Sequence, residues 1–121
     1  MGLPETWSGI LALTALTGAA AGGAVTALFL ITDKNAPMDL GLLHGRTGIF
    51  GIILLLISAY LGTDTGLSIK PALGALMLTV AGGATLYYLI RRKGILSKTV
   101  ILVHGSLAIA SISILLFGLP A

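Results

Sequence analysis

The chain has 121 residues, of which 56% are apolar and only 9% are charged, and its net charge is +3. Soluble domains carry about 25% charged residues, so this chain has too few polar groups to cover a surface that faces water, and a lipid bilayer is its expected solvent. The absence of cysteine excludes disulfides, thiolate metal sites and iron–sulfur clusters. The basic residues concentrate in one short segment, RRKGILSK, instead of covering a face, so no nucleic-acid partner is expected.

Four apolar runs are each long enough to cross a bilayer as a helix, which takes about 20 residues. The predicted spans are Trp7 to Ile31, Leu40 to Leu61, Pro71 to Ile90 and Thr99 to Leu116. The segment before them, MGLPETW, has no basic residue and is not expected to be a cleaved signal peptide. Because short linkers make neighbouring helices antiparallel, we predict an all-α membrane protein, an up-down four-helix transmembrane bundle in one domain of residues 1–121.

The charges of the linkers predict how the bundle is oriented. The third linker contains Arg91, Arg92, Lys93 and Lys98 and no acidic residue. Cytoplasmic loops of membrane proteins carry an excess of Lys and Arg, so this linker is expected in the cytoplasm, together with the first linker. The sequence therefore predicts a multi-pass integral membrane protein with both termini on the non-cytoplasmic side.

The chain resembles itself at an offset of 60 residues. Without gaps, 17 of the 61 residue pairs are identical, whereas random pairing at this composition gives roughly one in eleven. The segment AGGA occurs at 21–24 and again at 81–84, and His44-Gly45 aligns with His104-Gly105. We therefore predict a duplicated two-helix hairpin, with residues 1–60 as repeat one and residues 61–121 as repeat two.

The two aligned histidines, His44 and His104, are the only ones in the chain. Each follows the predicted start of its helix by about five residues, which places both rings roughly 8 Å below the cytoplasmic boundary. The second and fourth helices are diagonal in an up-down bundle, about 11–14 Å apart, so the rings are expected to hold a flat group instead of bonding to each other. Small residues lie at this level on all four helices: Gly48, Gly51, Ala108, Ser111, Gly22, Gly23, Gly82 and Gly83.

A haem fits this arrangement, with its iron bound by one imidazole from each repeat and its ring reaching between the first and third helices. The second nitrogen of each imidazole then needs a hydrogen-bond acceptor, for which a backbone carbonyl or Ser111 is expected. A single histidine in a membrane helix more often bonds to a neighbouring helix, and glycine runs are usually packing surfaces. The coincidence of two such histidines at one depth favours metal ligation.

The motifs LHG at 43–45 and VHG at 103–105 resemble those of small four-helix integral-membrane b-type cytochromes with bis-histidine haem. The resemblance covers the bundle and the two HG segments. It implies one haem b with His44 and His104 as axial ligands, and electron transfer to or from a quinone, a redox partner protein or a larger membrane complex. A six-coordinate haem has no free position for a substrate, so we expect an electron carrier and no catalytic residues.

Two other classes of function stay open at the level of sequence. Each histidine could ligate a separate (bacterio)chlorophyll, or the chain could be a small scaffold or transporter without haem. The spans contain no carboxylate, which argues against a proton-coupled transporter. Arg46, two residues after His44, points away from the ligand direction, and it is expected either to reach the lipid headgroups or to pair with a haem propionate.

Overall fold

The computed structural model describes residues 6–119, which form four long helices joined by short linkers. The helices are α1 (Trp7–Ile31), α2 (Met38–Tyr60), α3 (Ile69–Tyr88) and α4 (Lys98–Phe117), and α3 continues into a π-helical turn, Leu89–Lys93. All four are long and apolar enough to cross a membrane. The predicted fold, an all-α membrane protein with four spans, is confirmed.

Local sequence explains where the helices begin and end. Thr6 and Ser97 precede α1 and α4, and the hydroxyl of each accepts a hydrogen bond of 3.2 Å from a backbone N–H in the first turn. Gly94 ends the π-helical turn with φ +64°, a left-handed conformation that suits glycine. The third helical segment therefore extends beyond the predicted end at Ile90, because residues 91–93 interrupt the apolar run without interrupting the helical backbone.

The helices pack side by side in chain order. α1 packs extensively along α2, and α3 along α4, so the bundle consists of two hairpins. The hairpins meet through less extensive contacts of α1 with α4 and of α2 with α3. Among residues 6–119, neither diagonal pair of helices has Cα atoms within 8 Å of each other. This is the predicted up-down arrangement, in which α2 and α4 are diagonal.

The apolar core lies at one end of the bundle, which we call the closed end. It is built from the first halves of α1 and α3 and the last parts of α2 and α4: Ala12, Leu16, Ile52, Leu55, Ile69, Ala72, Leu76 and Leu115. The linker between α2 and α3 covers this end, since Thr65 is buried and the backbone N–H of Ser68 donates to the carbonyl of Leu115 at 2.9 Å. Contacts at the closed end therefore hold the two hairpins together.

The other half of the bundle, which we call the histidine half, consists of residues 20–31, 38–50, 80–93 and 98–110. Within these ranges only Ile101 is buried. A cleft of about 270 Å³ opens at the end of this half, between the first and third linkers, and is lined by Leu30, Asp33, Lys34, Asn35, Ile90, Gly94, Ile95 and Leu96. Lys98 Nζ lies 3.1 Å from a carboxylate oxygen of Asp33, and this ion pair links the hairpins next to the cleft.

Candidate functional site

Both histidines are partly buried, and each packs against the other helix of its own hairpin. The Nδ1 atom of His44 lies 2.6 Å from the carbonyl oxygen of Ala19 in α1. The Nδ1 atom of His104 lies 2.8 Å from the carbonyl oxygen of Thr79 in α3. Ala19 and Thr79 are separated by 60 residues, as are the two histidines, so the two hairpins make the same contact at equivalent positions.

These hydrogen bonds define the tautomer of each neutral ring. A carbonyl oxygen can only accept, so Nδ1 must carry the proton and donate it, which leaves the lone pair on Nε2. Neither Nε2 atom has a hydrogen-bond partner in the part of the chain that the structure describes. An imidazole in this state is ready to bind a metal, because its other nitrogen is already oriented by an acceptor. Of the two expected acceptors, the structure has the backbone carbonyl and not Ser111.

Glycines in α1 and α3 make room for the two rings. A Cβ atom at Gly23 would lie 2.6 Å from Cε1 of His44, and one at Gly83 would lie 3.1 Å from Cε1 of His104. The preceding glycines, at positions 22 and 82, also lie beside the histidines, since a Cβ atom there would be 3.7 Å and 3.4 Å from the nearest histidine atom, respectively. The structure thus brings these four glycines together with the two histidines, and their contact with a cofactor stays a prediction.

The two rings approach each other across the interface between the hairpins, although their helices are diagonal. The ring centroids of His44 and His104 are 6.0 Å apart, and the ring planes are inclined by 83°. Metal–imidazole bonds measure about 2 Å, and a ring nitrogen lies about 1 Å from its ring centre, so two imidazoles on opposite sides of one metal have centres about 6 Å apart. The observed distance fits one shared metal.

The protein offers this site two ligands. Among residues 6–119 there is no group of three or more His, Cys, Asp or Glu side chains that could hold a metal ion. Zinc sites built from protein ligands alone take three or four such groups, whereas a porphyrin contributes four ring nitrogens of its own and needs only axial ligands. The chemistry of the donor set therefore fits a haem better than a bare metal ion.

The small residues that follow the histidines pack within the hairpins. A Cβ atom at Gly51 would lie 2.8 Å from Cγ of Leu16, so α1 fills the space beside this glycine and does not leave it open for a flat group. A Cβ atom at Gly48 would lie 3.6 Å from that of Ala19. Small residues let two helices approach closely, which explains these positions by contact within the hairpin. A cofactor-binding role for them stays a prediction.

In the second hairpin the equivalent positions are Ala108, which is partly buried, and Ser111, which is fully buried. The hydroxyl of Ser111 donates to the carbonyl of Leu107 at 2.6 Å and lies 3.2 Å from the hydroxyl of Thr79. Ser111 therefore satisfies its hydroxyl proton within α4, and its oxygen contacts the hydroxyl of Thr79 in α3. The two hairpins differ here, since the first has glycine and alanine where the second has a pair of hydroxyls.

Arg46 is exposed on α2 and takes part in no ion pair among the described residues. Both interpretations of this residue, contact with lipid headgroups and pairing with a propionate, stay predictions. The basic residues at 91–93 are also exposed, at the same end of the bundle as the cleft.

His44 and His104 are two side chains with metal-binding chemistry that the fold brings together, with ring centres 6.0 Å apart. Comparison with family models, with characterised proteins and with solved structures finds no match. The argument for function therefore depends on the geometry of His44 and His104. That geometry provides two free Nε2 lone pairs from equivalent positions on two hairpins.

Proposed function

We propose that this chain is a membrane b-type cytochrome that binds one haem b between α2 and α4, with His44 and His104 as axial ligands. The observation that carries the proposal is the matched pair of imidazoles, each with Nδ1 bound to a backbone carbonyl and with ring centres 6.0 Å apart. A bis-histidine haem supplies a one-electron redox couple. The protein would accordingly transfer electrons to or from a quinone or a partner protein.

The residues around the histidines would orient the ligands. The carbonyl groups of Ala19 and Thr79 hold the two rings in place and make Nε2 more basic, because a hydrogen bond from the second nitrogen raises the donor strength of an imidazole. Gly23 and Gly83 keep the space beside each ring free of a side chain. A pair of axial histidines leaves no position for a substrate at the iron, which favours electron transfer over catalysis.

The distance between the rings also bears on the alternative in which each histidine ligates its own chlorophyll. Two stacked macrocycles need about 3.5 Å between their planes, the ordinary contact distance of carbon atoms. Two stacked chlorophylls between the histidines would therefore hold the imidazole centres about 3.5 Å further apart than one shared metal does. Ring centres at 6.0 Å therefore favour one metal over two.

We place the histidine half of the bundle next to the cytoplasm, with both termini on the opposite side. The support is the distribution of charge. The end of the histidine half carries Arg91, Arg92, Lys93 and Lys98, whereas Lys70 is the one basic residue near the closed end. Cytoplasmic loops are enriched in Lys and Arg. An electron donor or acceptor on the cytoplasmic side would then be nearer to the haem than one on the other side.

The test is the absorption spectrum of the purified full-length protein together with its histidine variants. Wild-type protein should contain one haem b per chain with the sharp reduced bands of a low-spin, six-coordinate iron. His44→Ala and His104→Ala should each lose the low-spin spectrum or the haem itself, because each removes one of two equivalent ligands.

Arg46→Ala is the matched control, since this side chain lies two residues from His44 and is exposed. It should leave the low-spin spectrum unchanged. Low-spin haem in either histidine variant would contradict the ligand assignment, and a wild-type protein that binds no haem when supplied with it would contradict the function.

A further inference from the structure

We propose that the cleft between the first and third linkers holds the two carboxylates of the haem, and that Lys98 exchanges Asp33 for one of them when the haem binds. The inference rests on the proposed function and adds the residues that recognise the far edge of the cofactor. Lys34, which lines the cleft, is the second basic partner. Neither lysine would touch the iron, so both would change the affinity for haem and leave its metal ligands unchanged.

The distance from the helix starts beside the cleft to the level of the histidines matches the size of the cofactor. Lys98 is the first residue of α4 and precedes His104 by six residues, and Met38 stands in the same relation to His44 in α2. A rise of 1.5 Å per residue puts the helix starts about 9 Å from the level of the histidines. With ordinary bond lengths, the carboxylates of haem b lie about 8–9 Å from its centre.

The cleft also combines the apolar and polar side chains that this edge of a haem requires. Its lining combines apolar residues, among them Leu30, Ile90 and Leu96, with the polar residues Asp33, Lys34 and Asn35. A site for such a group needs apolar walls for the ring and a few polar groups for orientation. At the closed end, by contrast, the linker between α2 and α3 folds over the core, where Thr65 is buried.

The ion pair beside the cleft is suited to exchange. Lys98 and Asp33 are 49% and 74% exposed, and their shortest distance is 3.1 Å. Exposed ion pairs contribute little to stability, so replacing one carboxylate by another costs little. Asp33 follows the end of α1, so its carboxylate lies on a linker and not on a helix. Its φ of +59° is an uncommon backbone conformation for a residue other than glycine.

The experiment compares haem b with its dimethyl ester, in which both carboxylates are neutral, on the full-length protein prepared without haem. Dissociation constants are measured in one detergent by titration of the Soret band. The unmodified protein should bind haem b at least about tenfold more tightly than the ester, since a hydrogen bond to a charged group contributes about that factor or more.

Two variants then separate recognition of the carboxylates from simple support of the fold. Lys98→Ala should weaken the binding of haem b by about tenfold and leave the binding of the ester unchanged. Asp33→Asn should bind haem b at least as tightly as the unmodified protein, because it frees Lys98 from its competitor. Lys70→Ala, at the closed end, should affect neither compound.

Equal affinities for haem b and its ester in the unmodified protein would overturn the proposal, and so would equal weakening by Lys98→Ala and Asp33→Asn. The comparison of the two compounds needs no variant, so it decides even if a variant fails to fold. Low-spin binding of both compounds with equal affinity would refute the carboxylate site and leave the axial ligands intact. Binding of neither compound would refute the proposed function itself.

Discussion

The substitution Gly23→Ala is expected to displace the His44 imidazole. A Cβ atom at this position would lie 2.6 Å from Cε1 and 2.9 Å from Nδ1 of that ring. Carbon atoms in contact are about 3.5–4.0 Å apart, so the ring must move by about 1 Å. That movement would break the 2.6 Å hydrogen bond from Nδ1 to the carbonyl of Ala19.

The expected loss of stability follows from three contributions. Overpacking costs about 1–3 kcal/mol, and the lost hydrogen bond costs about 0.5–1.5 kcal/mol. Alanine is the better helix former and returns up to about 1 kcal/mol. Gly23→Ala should therefore lower the free energy of unfolding by about 0.5–3.5 kcal/mol. Gly83→Ala should cost less, because the corresponding distance to His104 is 3.1 Å and a shift of a few tenths of an ångström relieves it.

Gly18→Ala is the matched control on α1, because a Cβ atom there would have nothing within 4 Å. It should raise the free energy of unfolding by up to about 1 kcal/mol, the gain in helix propensity alone. Unfolding is followed by far-UV circular dichroism in one detergent, and haem affinity is measured on the same samples. Equal effects of Gly18→Ala and Gly23→Ala on stability would refute the contact between Gly23 and His44.

Two further predictions concern packing and orientation. Gly51→Ala should lower the free energy of unfolding by about 1–3 kcal/mol, because its Cβ would lie 2.8 Å from Cγ of Leu16, whereas Gly74→Ala, with nothing within 4 Å, should be neutral or stabilising in the same circular dichroism assay. Reporter fusions after Lys93 and at the C-terminus should lie on opposite sides of the membrane, and the same side for both would contradict the topology.

The sequence is sufficient to predict the four spans, since segments this apolar have few alternatives to a membrane helix. It also predicts that His44 and His104 are diagonal and that the glycine pairs beside them lie at the same level. For the hydrogen-bond acceptors of the two rings, the sequence predicts only the kind of group, a backbone carbonyl or Ser111, and not its position in the chain. The actual ones, at Ala19 and Thr79, are backbone atoms, which every residue has, so no residue type marks them.

Other features depend on which helix lies beside which. Gly51 is on the inner face of α2, but spacing along one helix does not say whether a neighbouring helix or an open space lies in front of it, and Leu16 of α1 occupies that space. The ion pair of Asp33 with Lys98 joins the first linker to the start of α4, two parts of the chain that are distant in sequence. Its formation follows from the packing of the hairpins, which no local pattern encodes.

The uneven distribution of buried residues has a consequence for local opening. A segment with few buried contacts opens at a lower free energy than the core of the same domain, so the histidine half should part more readily than the closed end. Its amide hydrogens should accordingly exchange through local fluctuations, while those near Leu55 and Leu115, both fully buried, should exchange only when the whole bundle unfolds. A ligand bound between the histidines stabilises the state that holds it, in proportion to the logarithm of its concentration over its dissociation constant. When such a ligand saturates its site, the free energy of opening the histidine half should therefore rise towards that of the closed end.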